Sequence, residues 1–399
     1  SSSKTKISSC INESTSISCS ITLEDYGTAS DGDLIISNTY YSDNIRTHVS
    51  SSNIAGDYSI NIANSNGFNI GDEILIITMQ DPNPTNNSVG KYEFNRIINV
   101  GANNLGLYNP LTHTYVSTST LKHQVVKVSN FNNLTINSGG ILTAHPWDGF
   151  SGGIICFRVS GNLLNNGIIT ANEIGYRGIG RINTLTGNNH YRNHNGAQGE
   201  GIYGEGYPGG SSNGSNGFWN QSNGNGGGGG TGTQDGGGGG GGGYSNAGST
   251  GNTQDGHLGG IGGQIVGSPG LEKLLFGGAG GEGGADEDGH CPGKGGNGGG
   301  IIYISAGSIT NNGIITSNGE NGGNGTNSNP NGSNGSGCGM AGGGGGAGGS
   351  IFISSPFHSS YGLITANKGL KGNCTCGIGF GADGSDGRIA FISSNGNNP

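Results

Sequence analysis

The chain has 399 residues, a formal charge of −9, 30% apolar and 10% charged residues, and 91 glycines. That composition excludes a conventional large apolar core and the basic footprint of a nucleic-acid reader. The longest apolar stretches, such as Ile74 to Met79, are far short of the ~20 residues a membrane-spanning helix needs.

Residues 1–30 read as an N-terminal strand arm. It is rich in Ser and Thr and starts with Lys4 and Lys6, and Ile17, Cys19, Ile21 and Leu23 alternate with polar residues, the period of a strand with one wet face. A lone strand must add to a sheet edge, its own or a neighbour's. Addition to a neighbour, repeated head to tail, predicts self-association into a homopolymer through residues 1–23, with Cys10 or Cys19 placed to lock the joint. A chain that begins at Ser1 without an apolar leader reads as a processed secreted protein.

Residues 31–128 read as a β domain. Leu34–Ile36, Ile74–Ile77, Phe94–Val100, Leu105–Tyr108 and Val125–Val128 are apolar runs separated by Asn, Gly and Pro turns. No stretch holds a helical period.

Residues 129–399 read as a glycine-rich β-repeat domain with a long Gly-rich insertion at 179–298. The segments GGIICFRVSGNLLNNGIITANEIGYRG (152–178), GGIIYISAGSITNNGIITSNGENGG (299–323) and GGSIFISSPFHSSYGLITANKGLKG (348–372) share one plan, DGRIAFIS (386–393) begins it again, and 125–149 is a degenerate first copy. A constant unit with Gly tracts of variable length between copies predicts a β-solenoid with insertions on one face. Aligned on their Gly pairs, the units place Ile155, Phe157, Ile302, Ile304, Ile351, Ile353, Ile389 and Phe391 on one buried face, with Ile168, Ile314 and Leu363 of the second strands beneath them. Both faces of strands such as Ile301–Ile304 are apolar, so the second face needs a cover. The Gly tracts, unbroken from Gly236 to Gly243, supply one if they form polyglycine II, extended helices of three residues per turn whose N–H and C=O groups all pair with neighbours.

Candidate chemistry is sparse. Gly210–Gly214 matches the nucleophile-elbow pattern G-x-S-x-G, and GxGxxG recurs in the Gly tracts, but neither stands in a strand-to-helix context. Asp31/Asp33, Asp286/Glu287/Asp288 and Asp383/Asp386 beside glycines are candidate ligands for a structural calcium ion; no other cofactor is expected. Cys10, Cys19, Cys291, Cys338, Cys374 and Cys376 are disulfide candidates, and Cys156, inside a strand, reads as a buried free thiol. Sequons at Asn12, Asn86, Asn133, Asn213, Asn220, Asn324, Asn331, Asn334 and Asn373 are candidate glycosylation sites. His190 and His194 lie in an Asn/Gly loop, which argues against a ligand pair. Trp147, Trp219, Tyr203, Tyr207 and Phe218 read as caps on the Gly bundles, or as a carbohydrate-stacking surface.

Two features resemble a known group. GFNIGDEILIITMQ with KYEFNRIINV, LYNPLTHTY and HQVVKVSNFNNLTINSGGILTAHPWDG, together with the recurring GGIIYISAGSITNNGIITSNG, is similar to large secreted glycine-rich surface or adhesin-like proteins of bacteria. The chain departs from them in Asn and Ile where Ala, Val and Thr are usual. The resemblance implies an extracellular or surface location and a structural role, with no catalytic residues to carry over. The sequence thus leads to a non-enzymatic structural subunit of an extracellular filament or surface layer, on a cell or a virion. The alternative is a glycan-binding adhesin module or, with only Thr170, Thr316 and Thr365 in equivalent positions, an ice-binding one.

Overall fold

The computed structural model describes residues 4–13, 16–24, 26–179, 195–205, 221–232, 236–254, 256–285, 292–325, 341–374 and 379–392. Among these the protein is all-β, with no helix. β1 (Lys4–Glu13) and β2 (Ser16–Glu24) form an antiparallel two-stranded sheet in which Cys10 stands opposite Cys19. The alternating segment that reads as a lone strand therefore has a partner within its own chain.

The repeat units build two parallel ladders. In the longer one, β13 (Ile154–Asn165), β15 (Ile301–Asn311), β17 (Ser350–Ser354) and β20 (Arg388–Ile392) lie in register, so that Ile155, Ile302, Ile351 and Ile389 form one column and Phe157, Ile304, Ile353 and Phe391 the next. This is the expected face. Its members are buried except at the last strand, where Phe391 is partly covered and Ile389 exposed. β18 (His358–Ser360) continues the outer half of β15.

The second ladder stacks β4 (Thr39–Tyr41), β12 (Ile141–Thr143), β14 (Ile168–Thr170), β16 (Ile314–Thr316) and β19 (Leu363–Thr365). Here the expected core residues are off by one position. Ile169 and Ile315 are buried and Ile364 packs against the core, whereas Ile314 is 37% and Leu363 54% exposed and Ile168 is half-buried. A shift of one residue exchanges the faces of a strand.

β3 (Leu34–Ile36) pairs with β11 (Leu134–Ile136), which pairs in turn with the outer half of β13. Residues 34–41 thus form a rung of the same stack, although the sequence places them in the preceding domain. The rest of that domain has its own core. β5 (Arg46–His48), β7 (Glu73–Gln80) and β10 (Lys122–Phe131) associate antiparallel, with β8 (Tyr92–Val100), β9 (Asn104–Leu107) and β6 (Ser59–Asn61) continuing the sheet. β10 spans the expected boundary at 128: its first half pairs with β5 and β7, and its end pairs with β13. β7 is buried throughout, Ile74 and Ile76 facing one core and Leu75, Ile77 and Met79 another.

Glycine is required where rungs stack. A Cβ on Gly167, Gly313 or Gly362 would stand against the carbonyl oxygen of Gly140, Gly167 or Gly313 respectively, and one on Gly300, Gly349 or Gly387 against that of Gly153, Gly300 or Gly349. These two columns account for the Gly before each strand and the Asn-Gly or Tyr-Gly between the paired strands of each unit.

The second face of the long ladder, Ile154, Cys156, Ile301, Tyr303 and Phe352, is covered by Trp147, Tyr176, Tyr244 and the segment Leu271–Ala279. Beyond it lie Gly segments joined mainly through their backbones. The N–H groups of Gly237, Gly240 and Gly243 go to Thr231, Gly228 and Asn225; those of Gly238 and Gly241 to Asn252 and Ser249; those of Gly239 and Gly242 to Gly342 and Gly345. Their carbonyls accept from 278–284, 260–263 and 382–385 with the same step of three. One run of glycines therefore bonds to six neighbouring segments and changes partner at every residue.

Candidate functional site

A group of chemically capable side chains gathers around β5. Its register against β10 sets Arg46 opposite Val126 and His48 opposite Gln124. Alternation puts the Arg46 and His48 side chains on one face, where the loop 144–152 after β12 crosses them. Arg46 Nη1 lies 3.0 Å from His145 Nδ1, and the His48 ring lies 5.1 Å from that of Phe150. Asp43, fully buried, accepts from the backbone N–H of His145 at 2.9 Å and meets its Nδ1 at 2.8 Å. On the other side of His145 the Tyr41 ring stacks at 4.4 Å.

A depression opens at each end of β5. One, of about 280 Å³, is bordered by Tyr40, Tyr41, Asn44 and Lys127. The other, of about 590 Å³, is bordered by His48, Ser50, Ser117, Lys122, Phe150 and Glu205. Burial lowers the His48 pKa and the Lys122 charge adds to the effect, against the opposing pull of Asp148. His48 is accordingly neutral at pH 7.

Behind the loop, Glu200 is fully buried and holds it in place. Its carboxylate accepts from Trp147 Nε1 at 3.3 Å and from the Arg177 backbone N–H and guanidinium at 2.8 and 3.2 Å. Burial raises the Glu200 pKa while Arg177 draws it back. Arg177 also donates to the Asp148 carbonyl at 3.0 Å and reaches Glu205 at 3.6 Å.

The residues singled out from sequence lie elsewhere. Asp31 takes Lys127 and the Asn130 N–H, and Asp33 the amides of Asn132 and Asn133, which lower its pKa. Asp383 pairs with Lys368 at 2.9 Å, and Asp386 accepts the Lys368 N–H. Asp286 and Asp288 lie outside the described residues, and among the described ones no three His, Cys, Asp or Glu side chains group as a metal site.

Cys156 is a buried free thiol whose pKa burial pushes up. Cys374 is buried, while Cys291, Cys338 and Cys376 are outside the described residues. Of the sequons, Asn86, Asn133, Asn324 and Asn373 are exposed, with the Asn86 amide donated to Asp81 and that of Asn133 to Asp33. Asn12 lies in β1; Asn213, Asn220, Asn331 and Asn334 lie outside, as do His190, His194, Tyr207, Trp219, Phe218 and the G-x-S-x-G match. Trp147 is buried edge-on against Tyr176 and Phe276, which makes it a core residue and not a stacking surface. None of Tyr41, Arg46, His48, His145 and Phe150 belongs to a motif, and no sequence signal singles them out.

No protein-family model matches the chain, and no curated protein matches it. Among solved structures it aligns with the Gp54 tailspike of Acinetobacter baumannii bacteriophage AP22, solved in complex with A. baumannii capsular saccharide, at 14% identity and a TM-score of 0.20 over 38% of this chain and 32% of that one. It also aligns with the tailspike gp61 of Pseudomonas phage phi297 (12% identity, TM-score 0.18, 31% and 19% covered) and the tailspike gp49 of Pseudomonas phage LKA1 (15%, 0.17, 31% and 26%). The chain spans a third or less of the length of each. The expectation that the chain is not an enzyme is withdrawn. These three solved chains are phage tailspikes, one of them solved in complex with a capsular saccharide. At this similarity they neither confer an activity nor allow one to be denied.

Proposed function

We propose that the protein is a surface-displayed β-scaffold that binds glycans along β5. One observation carries this reading: two exposed rings, Tyr41 at 39% and Phe150 at 45% exposure, mark the two ends of one short strand, each bordering a depression and flanked by charged and hydroxyl side chains. An apolar ring face beside a few convergent polar groups is the common make-up of a small-molecule site, and it suits a sugar, which offers C–H faces and hydroxyls together. The fixed loop 144–152, tied through Trp147 and Arg177 to Glu200, keeps the site preorganised.

The scaffold reading is a β-solenoid whose Gly segments are polyglycine II helices. The threefold change of partner along Gly237–Gly243, with six surrounding segments, supports it. Membership of the secreted glycine-rich surface proteins, and a place on a cell or virion surface, belong to the same proposal. Binding to a glycan array tests the site. Wild-type protein should retain a subset of glycans that the doubly substituted Tyr41→Ala, Phe150→Ala protein loses; equal retention by both removes the β5 site.

A second reading, the filament subunit, is favoured by the open ends of the ladders. β3 and β4 at one end and β18, β19 and β20 at the other carry no further strand among the described residues, and such edges add strands from other copies. Electron microscopy of protein lacking residues 1–23 tests the assembly route: folded monomers support it, and filaments without the arm remove it.

A further inference from the structure

We propose that the depression beside Phe150 takes the anionic group of an acidic saccharide, a singly charged carboxylate or sulfate ester, with Lys122 as its counter-charge. The inference deepens the glycan-binding reading and rests on it.

Lys122 is only 7% exposed, and no carboxylate among the described residues lies within ion-pair range of its Nζ. Its contact is the Phe150 ring, whose centroid is 4.0 Å away. A buried ammonium without an anion is costly, and a ring face offsets part of that cost. The side chain borders the 590 Å³ depression together with the hydroxyls of Ser50, Ser117 and Ser119. His48 beside it is neutral, as its lowered pKa requires, and Glu205 at the rim is engaged by Arg177 at 3.6 Å. Lys122 is therefore a cation at the depression without an ion-pair partner of its own, with hydroxyl donors around it.

The backbone supplies an independent sign. The pairing of β10 with β7 slips between Lys122 and His123: Lys122 stands opposite Gln80 and His123 opposite Thr78, leaving Met79 unmatched. A bulge of this kind re-aims the side chain next to it. In a chain of net charge −9, a lysine without an ion pair beside an open depression is a place for an anion. A single ammonium supplies one counter-charge, which suits one carboxylate or one sulfate ester.

The test uses the intact protein with three probes of the same length measured calorimetrically: a neutral oligosaccharide ending in a single uronate, its methyl ester, and the same neutral oligosaccharide carrying a single sulfate ester. A charge-assisted contact should give about a tenfold preference for an anionic probe over the ester. Lys122→Gln should erase the preference, so that acid and ester bind alike. The carboxylate and sulfate arms tell the two anions apart. Should Lys122→Gln fail to fold, the wild-type preference should still weaken as salt rises from about 20 to about 500 mM, since screening acts on the charged contact alone. Equal binding of acid and ester at low salt, or a preference that survives Lys122→Gln, overturns the inference while leaving glycan binding intact. Failure of all three probes to bind overturns both.

Discussion

Asn165 donates its side-chain amide to Asn311 Oδ1 at 2.7 Å, joining two fully buried residues 146 positions apart. The same amide reaches the Ile314 carbonyl at 3.3 Å, and Asn165 Oδ1 accepts the Gly167 N–H at 3.1 Å. Asn165 thus satisfies backbone groups at the bend between the two strands of a unit and links one rung to the next. Asn318 repeats the device further along, accepting from the Asn367 N–H at 2.7 Å while the Asn318 N–H goes to Asn172. Buried polar groups tolerate this arrangement only when their partners are present.

Asn165→Ala should destabilise the protein by about 1–3 kcal/mol, because it orphans the Gly167 N–H and the Asn311 Oδ1. Urea denaturation measures this. Asn312→Ala, which breaks an exposed bond to Asn166, should cost about 0.5 kcal/mol or less, the usual range for surface changes.

The registers of the two ladders can be checked with three truncations. Ile302→Ala in the core should cost about 2–5 kcal/mol. Ile315→Ala should fall in the same range, whereas Ile314→Ala, one position along and exposed, should cost well under about 1 kcal/mol. A larger loss at 314 than at 315 would return the core to the face first expected from sequence.

Gly239→Ala places a Cβ against the carbonyl of Gly281, inside contact distance. The Tm should fall by several degrees, about 4 °C or more, against a small change for Gly101→Ala, where the nearest atom is 3.4 Å away. Amide exchange gives a second readout: the Gly237–Gly243 amides should be protected, since each donates to another segment.

His123 imposes a pH dependence. It is buried between Thr78 Oγ1 at 3.0 Å and the Val116 carbonyl at 3.1 Å, and burial lowers its pKa to about 4. The unfolded chain, with a His pKa near 6.5, binds the proton more readily, so this contribution to stability is full above about pH 6.5 and is lost as pH falls toward 4. Wild-type protein should lose on the order of 3 kcal/mol more than His123→Gln between pH 7 and 4. Parallel stability curves for the two proteins would contradict the buried neutral ring.

Glu73 and Arg158 form a buried pair at 2.9 Å, to which Asn130 adds its amide. Glu73→Ala should cost about 3–5 kcal/mol by leaving the guanidinium charge inside, and thermal melts would register a drop larger than for any exposed carboxylate, such as Glu272.

Much of the ladder was legible in the chain. The Gly pairs before 154, 301 and 350 align the units, and period-2 alternation sends Ile155, Phe157, Ile302 and Ile304 to one face without any knowledge of neighbours. The second strands were not legible, since Ile168-Ile169, Ile314-Ile315 and Leu363-Ile364 are apolar at both positions; only the bend at Gly167, Gly313 and Gly362 selects which one turns inward. The Gly segments advertised backbone pairing, but glycines are interchangeable as letters. Which six segments surround Gly237–Gly243 follows from where the strands leave the chain ends in space. The site was least visible of all. Tyr41, Arg46, His48, Lys122, His145 and Phe150 span more than a hundred positions with no shared motif, and they meet because β5 pairs with β10 and the loop after β12 folds back across it. Periodicity is a property of neighbouring residues and can be read from them, whereas a site assembled from separate loops exists only once long-range pairing has fixed the backbones that carry it.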